Sequence, residues 1–238
     1  MTRACIFGAS GGIGGALVEA LAAREDVSCV YAASRTPPAA SDRVVPLTCD
    51  VSDEDSLAQA VATMAEQDAP DFVIVATGAL EFADGAGPER TFKKLDARRM
   101  AQLFAINTIA PAMVARHLLP LLPREGRSVF AAISARVGSI SDNRLGGWHS
   151  YRASKAALNM LVRNFAIEMG RTHRESVIVA LHPGTVDTPL SEPFQNNLAE
   201  GQLTAPAQAA QNLLAVLEGL TPAESGGFFA WDGQPIPF

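Results

Sequence analysis

The sequence is poor in several residue types, and each shortage excludes something. Its 238 residues include only two tyrosines (Tyr31 and Tyr151), two tryptophans and three cysteines. Cys5, Cys29 and Cys49 are odd in number, lack metal-type spacing and lie in or beside apolar runs. They read as reduced core thiols of a cytoplasmic protein, which argues against a disulfide framework or a metal site. No apolar run approaches the roughly 18 residues of a membrane span. The start of the chain is not read as a signal peptide, because five glycines between Gly8 and Gly15 interrupt it. Lys and Arg total 19 against 25 Asp and Glu, a net charge of −6 with no basic run, so no nucleic-acid partner is expected. No nucleophile, histidine and acid are spaced to suggest a hydrolase.

Hydrophobic residues make up 48% of the chain, enough for a sizeable core in one domain spanning residues 1–238. Short apolar runs alternate with longer amphipathic segments. Strands are predicted at Arg3–Phe7, Val27–Ala33, Val44–Thr48, Phe72–Ala76, Ser128–Ile133, Val177–Leu181 and Gly227–Trp231. Helices are predicted at Gly12–Arg24, Asp53–Gln67, Asp96–Leu122, Ser150–Arg171 and Pro206–Leu217. Several strands are apolar at consecutive positions, as expected when both faces are covered. The alternation predicts an α/β fold, a doubly wound parallel sheet of about seven strands with helices on both faces. Pro37-Pro38 and Asp84–Pro88 read as loops, and Ser191–Gln202 as either a lid or a surface connection.

The first predicted strand runs into Gly8-Ala9-Ser10-Gly11-Gly12-Ile13-Gly14 and then a helix. Glycines there permit a tight turn and a close backbone approach to a pyrophosphate, which the helix N-terminus attracts. This is the dinucleotide-binding arrangement of a Rossmann fold, with Ser10 and Ile13 in the loop. The second strand ends Ser34-Arg35, where an NAD site would carry an acid for the ribose 2′-hydroxyl. Ser34 and Arg35 suit a 2′-phosphate instead, so NADP(H) is the expected cofactor and NAD(H) the alternative. Asp50, with Val51 after the third strand, either caps the next helix or faces the adenine.

Tyr151 and Lys155 are four apart, on one face of a predicted helix. Its apolar surroundings make a lysine there costly unless it has a task. A phenol ordinarily titrates near ~10, and a neighbouring ammonium is expected to bring it toward neutrality as a usable acid or base. Met100, Leu103, Phe104 and Asn107 fall at helical spacing, which places Asn107 on an apolar face. Pro111 cannot bond the Asn107 carbonyl, so a kink and a free carbonyl, served by a water, are expected. Trp148 and His149 either line a pocket or pack a loop. His117 and His173 read as helix-surface residues, and His182 as a strand-end residue.

Taken together, Gly8-x-x-x-Gly12-x-Gly14, Asn107, Tyr151-x-x-x-Lys155 and Pro183-Gly184 before Thr188 resemble the short-chain dehydrogenase/reductase family over the whole chain. Ser134–Ile140, Tyr151–Asn159 and Phe228–Gly233 are similar to its C-factor and carbonyl-reductase branch. The resemblance implies NADPH-dependent reduction of a small carbonyl compound. Tyr151 would be the acid/base, Lys155 its partner and ribose ligand, and Asn107 the holder of a relay water. Val186 and Thr188 would contact the nicotinamide end, with Gly78 allowing close approach. It also implies a homodimer or homotetramer, because long apolar faces on two helices exceed what one sheet face needs. Loops 139–150 and 191–202 would build the substrate site.

Two departures stand out. The family's second serine after the fifth strand is here Ala135, leaving Ser134 or Ser139 to bind the substrate oxygen. The family's Asn-Asn-Ala-Gly is here Val75-Ala76-Thr77-Gly78. A cofactor-binding signalling protein with little turnover, and an NAD-linked alcohol dehydrogenase, are the rival readings.

Overall fold

Strand β1 (Thr2–Phe7) shows how the sheet is built. Its side chains alternate: Ala4 and Ile6 enter one core layer, and Cys5 and Phe7 enter the other. All four are fully buried, so the run needs apolar residues at consecutive positions. The computed structural model describes all residues except 83–84 and 198–200, and only the backbone of 196–197. Asp84 of the Asp84–Pro88 loop and residues 198–200 of the Ser191–Gln202 segment therefore lie outside the described residues.

The chain continues through α1 (Gly12–Ala22), β2 (Val27–Ser34), β3 (Val44–Thr48), α2 (Glu54–Gln67) and β4 (Phe72–Val75). It then passes α3 (Ala97–Phe104), α4 (Ala110–Leu118), β5 (Ser128–Ile133), α5 (His149–Met169) and β6 (Ser176–His182). Two short strands follow, β7 (Thr185–Val186) and β8 (Leu203–Thr204), before α6 (Pro206–Gly219) and β9 (Phe228–Ala230). The main sheet has seven strands in the order β3-β2-β1-β4-β5-β6-β9, all parallel. The predicted doubly wound α/β architecture is thus borne out.

One face is covered by α1 and α6, through Leu17, Leu21, Leu213 and Leu217. The other carries α2, α4 and α5, through Leu57, Met64, Val114, Leu118, Leu158 and Val162. Tyr31 belongs to this second layer, where its hydroxyl donates to the Asp68 carbonyl at 3.0 Å. The strand order reverses between β1 and β4, the crevice where open α/β sheets bind ligands.

Several expectations need correction. The single helix predicted over Asp96–Leu122 is split by a π-helical turn, Ala105–Ile109. Pro111 has no N–H for the Asn107 carbonyl, and the ladder widens upstream, where Ala110 N–H bonds Ala105 C=O five residues back. Asp50 does not cap α2; Asp53 does, accepting from the N–H groups of Asp55 and Ser56. Asp50 instead accepts from Ser52 N–H in its own turn. His173 is not a helix-surface residue but is buried beyond the end of α5, beside Thr172. The pairing of β7 with β8 was not legible, since each is two residues long.

Candidate active site

The glycine loop joins β1 to α1 at the crevice. Gly8 adopts φ +84°, and a Cβ there would stand 3.0 Å from the Ala76 backbone on β4's exit. A Cβ on Gly14 would lie 2.1 Å from the Gly8 carbonyl, and one on Gly12 would lie 2.5 Å from Thr188 Cγ2. These glycines let α1 begin against the strand and let Thr188 close over the loop. Gly11 caps α1 without any side chain, so first-turn N–H groups remain open to a ligand.

The loop opens into a cavity of about 890 Å³. Ser10, Gly12, Ile13, Gly14, Gly78, Ser134, Tyr151, Lys155, Pro183, Gly184, Val186 and Thr188 all line it. Gly8, Ser34, Arg35, Asp50, Val51 and Asn107 do not line it directly. Ser34 and exposed Arg35 end β2, with Cys49 N–H bonded to the Ser34 carbonyl just before Asp50 and Val51. The Ser34 and Thr77 hydroxyl oxygens are buried without a partner. Orphaned donors beside an uncapped helix start fit a dinucleotide whose ribose and phosphate oxygens would satisfy them.

Tyr151 and Lys155 sit in the first half of α5, 7% and 3% exposed. Lys155 Nζ donates to the Ile133 carbonyl at 2.8 Å. Burial pushes the lysine down to about 8 and the Tyr151 phenol up to about 12. The phenol therefore moves up rather than toward neutrality, and desolvation is the cause. It is firmly protonated near neutral pH.

Asn107 sits on the π turn, fully buried. Its side chain spans the site: Oδ1 accepts from Ala79 N–H at 2.8 Å, and Nδ2 donates to the Ala79 carbonyl at 2.8 Å. Nδ2 also reaches Ser154 Oγ at 3.1 Å, and Thr108 Oγ1 donates to the Ser154 carbonyl at 2.8 Å. The π turn therefore pins the exit of β4 to the turn of α5 that carries Lys155.

Neither candidate serine presents a free donor. Ser134 Oγ donates to Asn159 Oδ1 at 2.6 Å, leaving Asn159 Nδ2 buried without a partner. Ser139 Oγ bonds the Pro237 carbonyl and accepts from Asp142 N–H at 3.1 Å, away from the cavity lining. Trp148 lines the cavity and His149 does not; His182 lines it with Nδ1 unpartnered, and burial lowers its pKa to about 4.

Glu89, Arg152 and Asn159 were not singled out from the sequence. Glu89, 5% exposed, accepts from the backbone N–H and the hydroxyl of Ser150, capping α5 from 61 residues away. Its own carbonyl accepts from Trp148 N–H at 2.6 Å. Trp148, at φ +49°, is held in a conformation few bulky residues adopt. Its ring meets Tyr151 edge-on at 6.2 Å and Phe194 at 5.0 Å. Arg152 lines the cavity, and Asn159 backs Ser134. Only the two glycines before Trp148 hinted at a strained turn there.

A family model described as short chain dehydrogenase matches residues 2–199. The chain is 36% identical to C-signal of Myxococcus xanthus over 144 residues, 60% of this chain and 81% of that one. It is 31% identical to a 1-hydroxy-2-glutathionyl-2-methyl-3-butene dehydrogenase of Rhodococcus, covering 98% of each. The NADPH-bound carbonyl reductase from chicken fatty liver superposes with a TM-score of 0.83 at 28% identity, over 100% of this chain and 99% of that one. The chain belongs to the short-chain dehydrogenase family and is an oxidoreductase of that family.

Proposed function

We propose that the protein is an NADPH-dependent carbonyl reductase acting on small aldehydes or ketones. The observation that carries this reading is the convergence of Tyr151, Lys155 and the uncapped glycine loop on one cavity. Gly8, Ser10, Gly12, Ile13 and Gly14 would hold the pyrophosphate, with Asp50 and Val51 toward the adenine. Gly78, Pro183, Gly184, Val186 and Thr188 would surround the nicotinamide end. Ser34 and Arg35 would take the 2′-phosphate; the absence of an acid beside them supports NADPH over NADH.

When bound, the reduced nicotinamide supplies the hydride for the carbonyl carbon. Tyr151 gives its phenolic proton to the carbonyl oxygen, and takes it back in the alcohol-oxidising direction. Lys155 carries a positive charge beside the phenolate that forms. Asn107 fixes the Ala79 backbone and Ser154 around that pair, and its turn would hold the relay water. Leu145 and Trp148 from loop 139–150, and Phe194 from loop 191–202, wall the substrate space.

Tyr151→Phe should lower kcat by about 10²- to 10⁴-fold, with NADPH affinity nearly unchanged. Unaltered turnover across a carbonyl panel would refute the mechanism. In the same assays Arg35→Ala should erase a preference for NADPH over NADH; no preference in the wild type would refute the cofactor assignment.

A second reading is a cofactor-binding signalling protein. Ala135 and the commitment of Ser134 to Asn159 favour it, as does the C-signal likeness. Tight NADPH binding with no oxidation of it across the panel would select this alternative.

A further inference from the structure

The cavity wall around Trp148 carries charge that the reaction does not use. Arg136, Arg144, Arg152 and Asp142 line it together with the apolar Leu145 and Phe194. Asp142 lies 3.4 Å from Arg136. Among the described residues, Arg144 and Arg152 have no carboxylate within ion-pair distance.

Arg152 is held in place. Its Nε donates to the Gly147 carbonyl at 3.1 Å, and its Nη1 to the Val137 carbonyl at 3.2 Å. These bonds tie the start of α5 to loop 139–150 and to the turn after β5, and leave Nη2 uncommitted. Partial burial without a counter-ion disfavours the charge, and desolvation lowers its pKa. A guanidinium fixed by two backbone bonds and lacking an anion is preorganised for one. Arg144, on loop 139–150, is exposed and lines the same cavity.

The position is distinct from the pyrophosphate end. Val137 follows β5, two strands across from β1 and the glycine loop. At ~4.8 Å per strand that is roughly 10 Å away. An anion here would sit at the far end of a substrate whose carbonyl lies at Tyr151, with an apolar body against Trp148, Leu145 and Phe194.

We propose that Arg152 and Arg144 form an anion subsite, and that the preferred substrates are carbonyl compounds with an apolar body and a carboxylate at the far end. This rests on the carbonyl-reductase reading.

The test compares 4-carboxybenzaldehyde with 4-methylbenzaldehyde, each reduced with NADPH at pH 7. The wild type should favour the carboxylate by about tenfold or more in kcat/KM, mainly through KM. Raising the salt should shrink that ratio. In Arg144→Gln/Arg152→Gln the ratio should collapse toward one, and Arg152→Lys should keep part of it. A wild-type ratio near one, or a ratio that the double substitution leaves intact, overturns the proposal while leaving the reductase reading standing. Reduction of neither aldehyde overturns the reductase reading. The subsite is then tested by quenching of tryptophan fluorescence with 4-(hydroxymethyl)benzoate on the NADP⁺-saturated protein, in a Trp231→Phe background that leaves Trp148 as the one emitter. Weaker quenching in the double variant than in the wild type supports the subsite, and equal quenching overturns it.

Discussion

At the residue scale, the proposed chemistry rests on two buried groups whose protonation burial shifts in opposite directions. Tyr151 is raised to about 12 and Lys155 lowered to about 8, both by desolvation. Carbonyl reduction needs a protonated phenol, so the raised value keeps the acid in place through neutral pH. Lys155 contributes charge only while protonated, below about 8, and loses it as the pH rises through that value. The reductive kcat/KM should therefore be level from about pH 6 to 8 and fall about tenfold per unit above that. Lys155→Met should lower kcat by about 10²-fold and remove the bend. A wild-type profile flat to pH 10 would refute this role for the lysine. The four-residue spacing was enough to place both groups on one helix face. It could not give the direction of the phenol's shift, because that depends on how much protein covers the pair.

At the element scale, helix α5 is positioned by contacts from outside its own sequence. Glu89 caps its start through Ser150, and the π turn grips it at Ser154. Glu89→Ala would leave the buried Ser150 N–H and hydroxyl without an acceptor, at about 2–4 kcal/mol in total. The first turn, which carries Tyr151 and follows strained Trp148, should then loosen. We expect a lower Tm and a kcat reduced several-fold at unchanged NADPH affinity, with Glu89→Gln partly restoring both because it keeps one acceptor oxygen. A variant that loses stability but keeps full kcat would make Glu89 purely structural. The strands, the helix faces and the glycine loop were legible because each is written in local periodicity and glycine placement. Glu89 was not, since its partner lies 61 residues on and nothing in Pro88-Glu89-Arg90 marks a cap. The π turn was half legible: Pro111 announced a break, but the bond from Ala110 N–H to the Ala105 carbonyl that widens the helix has no marker in the sequence.

At the scale of the whole molecule, the two layers of helices are not equally finished. On α5, Met160 and Ile167 are 61% and 52% exposed, and they lie two turns apart on the same side. Ile109, on the π turn between α3 and α4, is 54% exposed. Helix α5 thus shows apolar side chains to the outside while its inner face holds Leu158 and Val162 in the core. Covering such a surface with a second copy would remove apolar area from water at ~25 cal/mol per Å² and brace the helix that carries Tyr151 and Lys155. We propose a homodimer or homotetramer built on this face. Sedimentation at micromolar concentration should give a mass that is a multiple of 25.0 kDa, and Met160→Lys with Ile167→Lys should shift it toward the monomer. Both substituted positions point away from the cavity, so the monomer should still bind NADPH. Any loss of turnover would then measure how far α5 depends on a partner to stay in place. A wild type that sediments as a monomer would refute the assembly and leave the exposed face of α5 as ordinary surface.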